Sequence, residues 1–192
     1  MMNETSPQAG EDAAWISVEL PLSRSDAYSY IQRTELLFRL NPYLEIKSWQ
    51  EDAPGRIYPG KQIHLDSLNE MNGMAQTMTL SVSDVQPDVS YSLSYDRGLK
   101  QATIFTVEGI SPVSCRLTVK ERYLAGISVA EREARLNEVD KSLVPWGEVI
   151  HKYFARRARW GWLPFFNWFQ DSFWAGMAPR HRRISRLLIW TT

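Results

Sequence analysis

The chain has 192 residues, 44% apolar and 23% charged, which suits one folded domain with a real core and excludes a disordered chain. Its one cysteine, Cys115, excludes an internal disulfide framework and suits a reducing compartment. The net charge of zero hides a split: from His151 onward eight Lys and Arg face one acid, Asp171, while the preceding 150 residues hold fourteen bases and twenty-one acids. Such asymmetry marks a basic tail that meets an anionic surface, or one that pairs with its own body.

The opening, MMNETSPQAGEDAAW, is acidic and polar, without the basic and apolar regions of a secretory signal, and is expected to be a disordered lead over residues 1–12. AWISVELPLS alternates Ile16, Val18 and Leu20 against Ser17 and Glu19, the pattern of a half-buried strand. From Ser25 or Asp26, as cap, the period becomes helical through Tyr30, Ile31, Leu36, Leu37 and Leu40, and Asn41-Pro42 ends it. LEIKSWQED returns to period two, APGRIYPGKQ is turn-rich, and QIHLDSL puts Ile63 and Leu65 on one face.

A regular series follows. MAQTMTLSVSDV sets Met74, Met78, Leu80 and Val82 on one face, and VSYSLSYDRG places Val89, Tyr91, Leu93 and Tyr95 inside. ATIFTVEGI is apolar on both sides, as suits a central strand, and VSCRLTVKERY turns Cys115, Leu117 and Val119 away from Arg116, Thr118 and Lys120. Short links favour hairpins and an antiparallel sheet. Then SLVPWGEVIHKYFARRARW lines Leu143, Trp146, Ile150, Tyr153 and Phe154 along one helical face. Pro145 suits only a first turn, so this helix is expected to begin near Ser142, after a polar, partly helical approach.

The expected architecture is α+β: a curved antiparallel sheet of six to seven strands wrapped on a long C-terminal helix, with a short helix pair after the first strand. That order, with NPYLEIKSW at the turn from helix pair to second strand, resembles the helix-grip fold of the START-like, or SRPBCC, superfamily of polyketide cyclase/dehydrase and lipid-transport proteins. The resemblance covers residues 13–159 and implies a pocket for an apolar molecule between sheet and helix. Met74, Met78, Tyr91, Tyr95, Phe105, Trp146, Ile150 and Tyr153 are the expected ligand-binding lining, unless the same residues are packed core. No superfamily-wide catalytic motif exists to match, and fold alone does not fix function.

Motif chemistry is sparse. The chain has no Gly-rich phosphate loop and no Gly-x-Ser-x-Gly elbow, and His64, His151 and His181 lie too far apart in sequence for metal-ligand spacing. No metal and no cofactor is expected. Glu108, on the central strand, is the one weak catalytic candidate: a cavity-facing acid with a raised pKa, or else a solvated residue at a strand end.

The last segment, residues 160–192, is the outlier. WGWLPFFNWFQDSFWAG packs four Trp and four Phe into Trp160–Gly176, with basic residues on both sides. Pro164, Asn167, Gln170, Asp171 and Ser172 make a membrane span unlike this segment. As an amphipathic helix it gathers Phe165, Phe166, Phe169, Phe173 and Met177 on one side, with Trp168 and Trp174 at the flanks and Asn167 and Asp171 opposite. Trp162, the aromatics from Phe165 to Trp174, and Arg180, Arg182 and Arg183 are the expected membrane-contact residues if this helix lies in an anionic membrane interface. Docking on its own domain is the alternative. A nucleic-acid groove would interleave the two residue types, which are here segregated, and the acidic body would repel phosphate; no nucleic-acid partner is expected.

The reading at this stage is a binding or transport protein for a hydrophobic small molecule (lipid, quinone or polyketide-like), cytoplasmic and peripheral on the inner membrane face. The alternatives are a cyclase/dehydratase-type enzyme working in the same cavity, and an interaction module that docks through its aromatic tail.

Overall fold

The computed structural model describes residues 12–124 and 128–181. Seven strands, β1 (Asp12–Leu20), β2 (Leu44–Glu51), β3 (Gln62–Asn69), β4 (Met74–Gln86), β5 (Ser90–Tyr95), β6 (Lys100–Ser111) and β7 (Ser114–Tyr123), form one antiparallel sheet in the order β1-β7-β6-β5-β4-β3-β2. Strands β2 to β7 follow one another as neighbours through short turns. Strand β1 closes onto β7, so the chain must cross from one sheet edge to the other, and two short helices make the crossing. They are α1 (Arg24–Ile31) and α2 (Thr34–Arg39). The cap of α1 is Ser23, whose hydroxyl accepts from the Asp26 amide, rather than Ser25 or Asp26. The Asp26 carboxylate in turn accepts from the Ser23 hydroxyl at 2.6 Å, which ties this helix start together.

Strict alternation sends Ile63, Leu65, Leu80, Val82, Leu93, Phe105, Val107, Leu117 and Val119 to one face, where all are buried. Bulges in the pairings β2–β3, β4–β5 and β6–β7 add twist and curl the sheet around α3 (Val129–Trp160). That helix presents Leu143, Trp146, Val149, Ile150, Tyr153 and Phe154 to the sheet, all buried. Gly147 sits where α3 comes closest to β1: a Cβ there would lie 2.4 Å from Ile16 Cδ1.

Helix α3 starts thirteen residues before the Ser142 expected from Pro145, which therefore lies inside it. An interior Pro loses one backbone hydrogen bond and costs about 3 kcal/mol. Packing outweighs that cost: Val139 is buried one turn before Leu143 on the same face, and Arg132 reaches the buried Asp12 of β1 at 2.5 Å. Beyond α3 a single short helix, α4 (Pro164–Trp168), leads into a π-helical segment, Phe169–Trp174. Among the described residues no helix is long and apolar enough to cross a membrane.

Candidate functional site

The space between sheet and helices is filled unevenly. Over one half, α1 and α2 plug it. The Tyr91 hydroxyl donates to the Ile31 carbonyl at 2.6 Å and meets Thr34 Oγ1 at 3.1 Å, its ring lies 5.2 Å from that of Phe105, and the Trp146 indole donates to the Leu37 carbonyl at 2.9 Å. Over the other half a cavity of about 480 Å³ remains between the β3–β4 hairpin, the β5–β6 turn, the end of α2 and the first half of α3. This is a usual size for a small-molecule site. Phe38, Leu65, Met78, Val139 and Trp146 form its apolar wall, and the exposed Met71, Met74 and Leu99 mark its mouth. Gly73, in the left-handed region at φ +70°, makes the tight turn that sets the rim.

Of the eight residues expected to line the pocket, Met74, Met78, Tyr95 and Trp146 do so. Tyr91, Phe105, Ile150 and Tyr153 lie in packed core away from it. A helix rises about 1.5 Å per residue, so Ile150 and Tyr153 sit roughly 6 and 10 Å past Trp146, under α1 and the C-terminal segment.

The cavity also has a charged wall that the sequence reading missed. Glu121 and Tyr123 continue the inward phase of Cys115, Leu117 and Val119, and both are buried. Lys100 joins them through a bulge: Tyr123 pairs with Lys100 and Arg122 with Ala102, so Gln101 is the extra residue and Lys100 moves to the inner face. There the Lys100 ammonium pairs with Glu121 Oε1, and the Tyr123 hydroxyl donates to Glu121 Oε2. The ammonium also lies 5.5 and 6.0 Å from the ring centres of Tyr95 and Tyr123. Burial opposes the Lys100 charge, but Glu121 beside it prevails and holds its pKa above the ordinary lysine range. Burial raises the Tyr95 and Tyr123 phenols.

Glu108 lies on the outer face, exposed and directly across from Arg116, away from the cavity. His64 and Asp66 also face outward, His64 Nδ1 against Thr79 Oγ1 at 3.2 Å and Asp66 accepting from Thr77 at 2.6 Å. Cys115 is buried, which pushes its thiol pKa up. Among the described residues no three His, Cys, Asp or Glu gather as a metal site.

The C-terminal segment docks on the body by its polar side. Asp171 accepts from Arg157 at 2.7 Å, from Arg33 at 2.8 Å and from the Tyr153 hydroxyl, and the buried Gln170 donates to the Tyr153 carbonyl at 2.9 Å. Arg157 also donates to the Tyr30 hydroxyl at 2.5 Å. Asn167 turns back to the Gly161 carbonyl at 2.7 Å. Trp174 is buried with Ala175, a correction to its expected place on the contact face, because it points down with Gln170. Phe166 and Phe169 are half-buried. By contrast Trp162 is 72% exposed, Phe165 73%, Trp168 57% and Phe173 50%. Arg180 is exposed, and its amide donates to the Glu70 carboxylate at 3.3 Å on the turn that rims the cavity. Arg182 and Arg183, like most of the expected N-terminal lead, lie outside the described residues.

No family model and no curated protein matches the chain. Solved structures do. A START superfamily protein from Mycobacterium smegmatis is 16% identical, with a TM-score of 0.57 over 77% of this chain and 99% of that one. The di-domain ARO/CYC StfQ from the steffimycin biosynthetic pathway is 11% identical, with a TM-score of 0.60 over 78% of this chain and 53% of that one. The Zhui aromatase/cyclase from a Streptomyces species is 12% identical, with a TM-score of 0.54 over 78% and 96%. These likenesses are of fold: the chain has the START-like helix-grip architecture expected from its element order.

Proposed function

We propose that this protein binds a hydrophobic small molecule in the cavity beside Trp146 and works as a carrier or sensor at an anionic membrane surface. The observation that carries the reading is the cavity itself: a half-filled grip with an apolar wall, a polar end and an open mouth. The outward aromatics support the membrane part. Leaving a large apolar side chain in water forgoes about 1.5–3 kcal/mol, and Phe165, Trp168 and Phe173, linked through ring contacts with one another and Phe169, ask for an apolar medium. Arg156, Arg159 and Arg180, none of them buried, flank the patch and suit an anionic headgroup layer. Arg180 of the same segment meets Glu70 on the turn at the cavity rim, which supports a mouth that opens toward such a surface.

The test is organic extraction and mass spectrometry of protein purified without detergent. A stoichiometric lipid, quinone or polyketide-like compound is expected, or uptake of an added apolar fluorophore by the empty protein. An empty extract with no uptake overturns the reading. A cyclase/dehydratase-type enzyme is the second reading, favoured by the tyrosines and the Lys100–Glu121 pair in the cavity wall. Glu108, exposed on the far face, has no part in either.

A further inference from the structure

Two lysines are held inside this protein, and they are held differently. Lys61 is fully buried with all three donors used: 2.6 Å each to the Ala53 carbonyl, the Arg56 carbonyl and Glu51 Oε2. It staples the β2–β3 loop and has nothing left to offer. Lys100 is one-third exposed and lines the cavity, and among the described residues Glu121 is the only oxygen that takes one of its donors. Its carboxylate partner is used up from both sides, Oε1 by Lys100 and Oε2 by Tyr123. The ammonium is therefore fixed in place between two rings, with two donors turned toward cavity or solvent.

We propose that Lys100 is the head-group site of this cavity: it holds the anionic oxygen of an amphipathic ligand, a carboxylate or an acidic phenol, whose apolar body lies along Leu65, Met78 and Trp146. The proposal rests on the cavity-binding reading and adds a ligand class to it. A neutral apolar ligand would offer those donors nothing on the cavity side, and any donor it covers loses its water without a replacement. An anionic oxygen takes them as charge-assisted hydrogen bonds in a partly desolvated site. Glu121 serves as a positioning residue, keeping the ammonium at the wall, and its charge also works against the incoming anion. That opposition gives the proposal a signature that a merely structural ion pair lacks.

The test measures binding of two probe pairs to the full-length protein: dansyl-labelled undecanoic acid against its methyl ester, and dihydroxyanthraquinone against its dimethyl ether. At least one acid is expected to bind about ten- to hundredfold tighter than its capped partner, and which pair does so separates a fatty-acid carboxylate from an acidic phenol. The uncharged double variant Lys100→Met/Glu121→Gln should bind both forms alike, while Glu121→Gln alone should keep or increase the preference for the acid. Equal binding of acid and capped forms by the wild type overturns the head-group site and leaves the cavity reading standing. Binding of no probe overturns the cavity reading and this one with it. If the double variant does not fold, Glu121→Gln decides: loss of the acid preference in that variant overturns the proposal.

Discussion

The body of this protein and its C-terminal segment obey opposite rules. In the body the apolar phase faces inward, as Ile63, Leu80, Leu93, Phe105, Leu117 and Leu143 do, and the opposite phase mostly meets water, the Lys100–Glu121 pair at the cavity wall excepted. From Pro164 to Trp174 Gln170 and Asp171 turn in with Trp174, and Phe165, Trp168 and Phe173 turn out. In the body, burial of hydrocarbon holds the parts together; at the tail, an ionic and hydrogen-bonded patch around Asp171 works beside one buried aromatic, Trp174. A helix docked by its polar side keeps its apolar side free for something else, and this separates adhesion to the body from function at the surface.

The contrast is sharpest between two aromatics of the same segment. Trp174→Ala should cost about 3–5 kcal/mol in urea unfolding, whereas Phe165→Ser should change stability by less than about 0.5 kcal/mol. Equal costs would mean that the exposed face is packed in solution and would break the comparison. Next in size is Asp171→Asn, which strips Arg157 and Arg33 of their shared acid. Loss of a largely buried partner costs about 3–5 kcal/mol, and the exposure of Arg33 reduces this to about 2–3 kcal/mol. Hydrogen exchange should rise across Phe165–Ala178 and stay unchanged in the sheet.

A smaller effect joins the two regions. Burial raises the phenol pKa of Tyr91, Tyr95 and Tyr123 in the body and of Tyr153 at the junction. An unfolded chain ionises these groups near about pH 10, so the folded state holds its protons more tightly. Their contribution is complete below about pH 10 and is lost as pH rises through the native values. Of the eight tyrosines, these four should therefore ionise only together with unfolding, and complete development of the tyrosinate band well before unfolding would contradict the burial. Least of all, Glu108→Gln should leave stability, probe binding and any turnover unchanged, since Glu108 points into water.

Much of this was legible in the residues. Alternation in β3 to β7 and the period of Leu143, Trp146, Ile150 and Tyr153 fix the layers, because burial is a face property and faces follow from local period. Three things were not legible. The bulge at Gln101 reverses the phase of Lys100, and nothing in KQATIF marks it. The plug of α1 and α2 decides which inward residues border empty space, so Tyr91 and Tyr95, two alternation steps apart, end in core and in cavity wall respectively. Glu121 was within reach, lying in phase with Leu117 and Val119, but a charged residue reads as solvated until its partners are known. The tail was read as amphipathic with Trp174 on its contact face, and its docking face, which takes Trp174 in, depends on Arg33, 138 residues away from Asp171.

The most direct test of the outward face is flotation with vesicles of phosphatidylglycerol and phosphatidylethanolamine. It compares the wild type with the triple variant Phe165→Ser/Trp168→Ser/Phe173→Ser. The wild type should float with the vesicles, and the folded triple variant should stay with the unbound protein. If both float equally, or if neither does, the aromatic face does not dock on the bilayer and the central contrast fails.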